Sequence, residues 1–270
     1  RPVDVSAGDR FACALLSDGG VQCWGANNHG QLGLGSRDPA VGANPDSARG
    51  PLRRVDLGPG AAAVAVSAGG HHHACALLAG GAVKCWGGNW WGELGYGDTA
   101  PRGQEERTMG AALAAVPLGS GARATSLRLG GYHSCAIVRD WAPPPPRAVA
   151  LRAMRRAGLD PDAVAARAAL PSVKCWGANE WGELGLEDVQ PRGRRPTEMG
   201  DALPAVSLGS SVGDEALAIA AGQHFTCALT AAGEVKCFGS NRFGQVAADP
   251  GVEAVGAFPG DMSDALAAVP

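Results

Sequence analysis

Eight cysteines in the 270-residue chain fall into four pairs. Cys13 and Cys23, Cys75 and Cys85, and Cys227 and Cys237 lie ten positions apart; Cys135 and Cys175 lie 40 apart. Two chemistries are open to such pairs. Oxidised, they are four disulfides, which favours an extracellular or other oxidising compartment. Reduced, they are eight small apolar side chains of a core. Zinc fits poorly, because nine residues separate the members of a close pair where zinc sites place about two to four. A free-thiol count on unreduced protein separates the first two.

The run His71-His72-His73 has the residue type of a metal site. Aligned on the cysteines, His73 and His133 share a column with Phe11 and Phe225. Phenylalanine ligates nothing, so the column reads as shape, with His71 and His72 as turn residues and His224 one position earlier in its unit. Glu93 and Glu183 share a column with Gln31 and Gln245, which cannot act as acid or base; with Glu187 they read as solvated or turn-bonding. There is no G-x-S-x-G elbow and no Walker loop. The sequence therefore predicts no enzyme, no catalytic residue, no metal ligand and no cofactor.

These columns exist because the chain repeats itself. AGDRFACALLSDGGVQCWGANNHGQLGLG from Ala7 returns as AGGHHHACALLAGGAVKCWGGNWWGELGYG from Ala68, and again from Leu129 and Ala221. The first cysteines are spaced by 62, 60 and 92 positions, and the last step contains a 30-residue insertion. A repeat of this length marks a unit that buries its apolar face against copies of itself. Within a unit, Ala12–Leu16 and Val21–Gly25 flank Ser17-Asp18-Gly19-Gly20, a hairpin signal that sets Cys13 opposite Cys23. About four short strands per unit are expected. Units are expected at about 1–57, 58–119, 120–209 and 210–259. Residues 260–270 read as the start of a truncated fifth unit, because DALAAVP copies AALAAVP from Ala111. That copy, the abrupt start at Arg1 and the lack of a signal-peptide pattern suggest a fragment.

The G-x-x-H turn at Gly130–His133, the V-x-x-W-G strand at Val173–Gly177 and N-x-x-G-[QE]-L-G at Asn179–Gly185 resemble the regulator of chromosome condensation repeat family. The fourth unit departs, reading QVAAD at Gln245–Asp249 where the others have a leucine-glycine pair. The resemblance implies an all-β fold, a β-propeller of the seven-bladed type, here about four blades and thus partial or open. It implies plain apolar residues at the cysteine positions, so the pairs are this chain's own variation. It also implies protein partners: a non-enzymatic interaction platform, with a guanine-nucleotide exchange factor for a small GTPase, or an inhibitor of a secreted enzyme, as alternatives. No exchange residue carries over, and paired cysteines suit a reducing nuclear location poorly.

Trp24, Trp86, Trp176 and Phe238 form one aromatic column, read as core. A second, His29, Trp91, Trp181 and Phe243, lies in the N-x-x-G turn, and Trp90 stands beside it without an aromatic counterpart. Turns at one level of a propeller share a face, so these five residues are the predicted partner-binding rim. The insertion, about 141–171, carries four prolines, then AVALRAMRRAG, and Asp160-Pro161 as a helix start. It reads as a short helical arm or as sequence foreign to the repeat. The net charge of −3 argues against a nucleic-acid surface built on bulk charge, and no apolar run is long enough for a membrane span.

Overall fold

The computed structural model describes residues 1–43, 52–140, 170–211 and 213–270. The predicted helical arm lies almost entirely outside them. The described residues form four antiparallel sheets, one per repeat. The first contains β1 (Pro2–Ala7), β2 (Phe11–Leu16), β3 (Val21–Ala26) and β4 (Ala40–Val41) in sequential order. The second holds β5 (Ala63–Ala68), β6 (His73–Leu78) and β7 (Val83–Gly87). The third holds β8 (Ala122–Leu129), β9 (His133–Asp140) and β10 (Ser172–Gly177). The fourth holds β11 (Ala216–Ala221), β12 (Phe225–Thr230), β13 (Val235–Ser240) and β14 (Ala254–Val255). The fourth strand, expected in every unit, is thus a two-residue strand in the first and last sheets. In the middle sheets it is reduced to the single bridges Gly87–Arg102 and Gly177–Arg192.

Turn chemistry sets the register. Asp18 Oδ1 accepts the Gly20 amide at 3.1 Å and Gly19 adopts φ 79°, closing the hairpin so that Cys13 pairs with Cys23 across β2 and β3. The same register holds for Cys75 with Cys85, Cys135 with Cys175 and Cys227 with Cys237, and all four pairs are disulfides. Each first strand skips one residue in its pairing, at Val3, Val64, Thr125 and Leu217. Such a bulge increases local twist, as a blade needs.

The core is three clusters, one between each pair of neighbouring sheets. In the first, Phe11, Cys13, Leu15 and Val21 of one sheet meet Val66, Ala74, Ala76 and Trp86 of the next. The second repeats this with Leu77 and Val83 against Leu127 and Trp176, the third with Ile137 and Val173 against Ile219 and Phe238. Each strand therefore alternates between facing the preceding and the following sheet, so both faces are apolar. Residues 260–269, read above as opening a fifth unit, lie along the fourth sheet: the Val269 amide donates to Val235 O as Val55, Val116 and Val206 do to Val21, Val83 and Val173. The departing QVAAD turn forms as well. Val246 is buried in the leucine place and Ala247 takes the positive φ (55°) that glycine holds in the other units. Among the described residues no helix is long and apolar enough to cross a membrane.

Candidate functional site

In an antiparallel sheet the turn after the first strand and the exit from the third leave at the same end. The G-x-x-H turns and the N-x-x-G turns therefore share one end of the array. Neighbouring G-x-x-H turns are joined by backbone hydrogen bonds, Asp9 N to Gly70 O (2.7 Å) and Gly70 N to Gly130 O (2.8 Å). They pack so closely that a Cβ on Gly130 would sit 2.5 Å from Gly222 O.

The N-x-x-G turn is held from beneath by two buried side chains. Asn89 Oδ1 accepts the Leu94 amide (2.9 Å) while its Nδ2 donates to the Asp98 carbonyl (2.8 Å), and Asn179 repeats both contacts. Glu93 Oε2 accepts the Trp91 amide and Glu183 Oε2 the Trp181 amide, each at 2.7 Å. Gln31 and Gln245 do the same for His29 and Phe243, at 2.9 and 2.8 Å. The column is turn-bonding as expected, but the glutamates are not solvated. Both are buried, and Oε1 of each lacks a hydrogen-bond partner. Each lies under the turn that its own carboxylate ties down. Burial pushes the Glu93 carboxyl up to about 7.

The histidine column is more than shape. His73 and His133 are buried, and their Nε2 atoms lie 3.1 Å from Ser134 Oγ and 2.9 Å from Thr226 Oγ1 of the next sheet. Ser134 donates its own proton to the Glu93 carbonyl (2.8 Å), and Thr226 to that of Glu183 (3.0 Å). The histidines must therefore donate through Nε2. Burial drives their pKa down, to about 3 for His73 and about 4 for His133, so both are neutral at pH 7. Where the column holds Phe11, the facing residue is Ala74. Ser134→Ala alone is expected to orphan the His73 Nε2 proton and cost about 1–3 kcal/mol. Adding His73→Phe recreates the Phe11–Ala74 pairing and should recover most of that loss in a double-mutant cycle of urea midpoints; additive losses would refute the pairing.

Above this layer lie the predicted rim residues. Phe243 is 93% exposed and Trp90 48%; His29, Trp91 and Trp181 are half-buried. His29 contacts Trp90 with ring centroids 4.6 Å apart, and both contact His72, at 4.4 and 5.2 Å. His71 stacks on Tyr132 at 4.7 Å and adjoins His72. Burial, with His29 beside it, lowers the His72 pKa to about 4, so His72 is neutral at pH 7, and burial lowers that of His29 as well. On the far side of the same end, Trp181, His224, Phe225, Arg242 and Phe243 line a groove of about 350 Å³, with the Arg242 guanidinium 5.3 Å from the Trp181 ring. The structure thus splits the predicted rim into a His29–Trp90 patch and a Trp181–Phe243 groove, with Trp91 in neither. His71 and His72, which the column comparison reads as turn residues, belong to the first patch, and so does Tyr132. The signal for them was strand parity: their turn and that of Trp90 leave the sheet at one end. Among the described residues no group of three His, Cys, Asp or Glu side chains is arranged to hold a metal ion.

Residues 3–31 and 217–245 match one family model, and residues 18–76 a second; each is described as the regulator of chromosome condensation (RCC1) repeat. The chain carries RCC1 repeats. HERC3 of Homo sapiens, named a probable E3 ubiquitin-protein ligase, is 41% identical over 100 residues, 37% of this chain and 9% of that protein. The Arabidopsis thaliana ultraviolet-B receptor UVR8 is 24% identical over 246 residues, 91% of this chain and 43% of the receptor. Among solved structures, human WBSCR16 superposes with a TM-score of 0.61 at 19% identity, over 95% of this chain and 51% of that one. That likeness shows the RCC1 propeller fold, here as four sheets that do not close on themselves. The chain spans about half or less of the length of each of these relatives.

Proposed function

We propose that this RCC1 chain is a non-enzymatic protein-binding platform, and that partners dock on the turn end carrying His29, Trp90, Trp91, Trp181 and Phe243. One observation carries this reading: Phe243, at 93% exposure, and Trp90, at 48%, project from one end of turns whose backbones are pinned from below by Gln245 and by Asn89 and Glu93. Rigid aromatics presented this way lose little entropy on binding and are the commonest interface anchors. The repeats supply a scaffold; the residues that differ between repeats supply the contacts.

The test begins with capture of partners from an extract of the source organism on the immobilised, oxidised chain. A captured protein is then purified and titrated against the chain and against Trp90→Ala/Phe243→Ala. Both side chains are exposed, so the variant's Tm should match that of the parent. The Kd is expected to rise at least about 10-fold, the loss typical of an interface hot spot. An unchanged Kd would remove the turn end as the docking surface.

A further inference from the structure

The segment after each N-x-x-G turn packs on a loop of the next unit, and the three inner joints fill this place differently. A Cβ on Gly35 would lie 2.8 Å from the Glu106 Cα, and one on Gly97 2.7 Å from the Pro196 Cα. Arg37 and Glu105 at the first joint therefore hold the positions of Thr99 and Arg195 at the second. At the first joint the place is a salt bridge: Glu105 binds Arg37 across the joint and Arg107 beside it. At the second joint the cation stands on the other side, and Thr99 offers it no carboxylate. Arg195 is 80% exposed and reaches Glu198 only at 4.0 Å; the exposed Arg194 forms no ion pair among the described residues. At the third joint the two positions hold Val189 and Phe258. Unanswered charge thus belongs to the middle joint, where Thr99, Gln190, Arg192, Arg194, Arg195 and Glu198 line a groove of about 620 Å³.

The donors this groove offers are guanidinium groups. Arg192 is held by Asp188 at 2.6 Å, and the amides of Arg194 and Arg195 are taken by Glu198 Oε2 at 2.9 and 3.1 Å. A phosphate would meet no free backbone amide at these two residues, whereas the planar guanidinium fork matches a carboxylate. We propose that the groove takes an acidic peptide segment of a protein partner. One carboxylate lies on Arg195, in the role that Glu105 plays for Arg37, and a second lies on Arg194. This rests on the reading that a protein docks on the turn end, and it adds the chemistry of that protein. The Arg194 amide nitrogen is 2.6 Å from where a Cβ on Gly92 would stand, in the turn that carries Trp90 and Trp91. An acidic segment on Arg194 therefore adjoins those rings. With a net charge of −3 the chain has no wider basic field of the kind a nucleic acid requires.

The test is fluorescence anisotropy of labelled hexaglutamate titrated at low salt with the oxidised 270-residue chain. Arg194→Glu/Arg195→Glu is expected to weaken binding at least about 10-fold. Arg1→Glu/Arg53→Glu, with the same change of net charge, should alter it less than about 2-fold. Thr99→Glu keeps both arginines but supplies a carboxylate across the joint, as Glu105 does for Arg37, and should weaken the peptide about 5-fold or more. All five positions are exposed, so circular dichroism should show every variant folded. The titration needs no captured partner and leaves Trp90 and Phe243 in place, so its failure is distinct from a failure of the aromatic anchors. Equal losses in the two double variants overturn the proposal, as does a Thr99→Glu chain that binds the peptide like the parent. So does a parent chain that does not bind the peptide, or one that binds labelled oligothymidylate more tightly.

Discussion

Reduction of the four disulfides is expected to unfold the RCC1 chain under conditions where the oxidised form is stable. Three of the bonds close loops of ten residues and one a loop of 40. The chain-entropy relation assigns about 3 kcal/mol to each short loop and about 4 kcal/mol to the long one. Together these are on the order of 10 kcal/mol, comparable with the whole stability of an ordinary domain, about 5–15 kcal/mol. Three of the bonds also lie within the cores: Cys13, Cys75, Cys85, Cys135 and Cys175 have no exposed surface, so access by a reductant requires opening of a sheet, whereas Cys227 of the fourth bond is half-buried and is expected to be reduced first. Calorimetry with and without a phosphine reductant should show a fall in Tm of at least about 20 °C. Cys75→Ala/Cys85→Ala, which removes one short loop, should lower it by about 6–12 °C. An unchanged Tm after complete reduction, verified by thiol titration, would show that sheet packing alone holds the array.

Replacing Glu93 with glutamine should stabilise the protein above neutrality and leave it little changed in mild acid. Glu93 is fully buried, and its carboxyl is raised from 4.5 to about 7 by desolvation, which outweighs the amides that point at it. Between those values the folded state holds a proton that the unfolded state has released, so stability falls as pH rises from 4.5 to 7 and levels off above. The shift corresponds to a loss on the order of 3 kcal/mol. Glutamine cannot ionise and can still accept the Trp91 amide, as Gln31 and Gln245 do for His29 and Phe243. The difference between parent and Glu93→Gln should therefore approach zero near pH 4.5 and reach about 2–3 kcal/mol at pH 8 in urea titrations. His73 and His133 act in the opposite direction. Their lowered pKa values make the folded state lose stability as pH drops below 6.5, but both proteins share that slope and it cancels. Parallel pH profiles would mean that water or backbone movement relieves the Glu93 carboxylate.

Much of the fold was legible because its determinants are local. Asp18 and Gly19 dictate a hairpin, the hairpin sets Cys13 across from Cys23, and recurrence every 60-odd positions requires stacked units. The same reasoning identified Trp86 and Trp176 as core. It underestimated the glutamate column, because substitution by glutamine shows that charge is dispensable but says nothing of burial. It also set aside His71 and His72, since a column comparison weighs each position against its repeats and not against the neighbouring turn. The fifth unit predicted for the last residues follows the same logic: likeness to an earlier segment does not tell which sheet that segment lies against.

By itself, the sequence determined the repeat, the hairpin register, the cysteine partners and the likeness to RCC1 repeats. These rest on contacts within one unit, where spacing along the chain is spacing in the sheet. Only the tertiary structure decided that Trp90 meets His29 and His72, that Ser134 takes the proton of His73, and that Arg195 shares a groove with Thr99 where Glu105 meets Arg37. Those facts depend on how one sheet lies against the next. Equivalent positions acquire different surroundings from one joint to the next, and no pattern confined to a single repeat carries that difference.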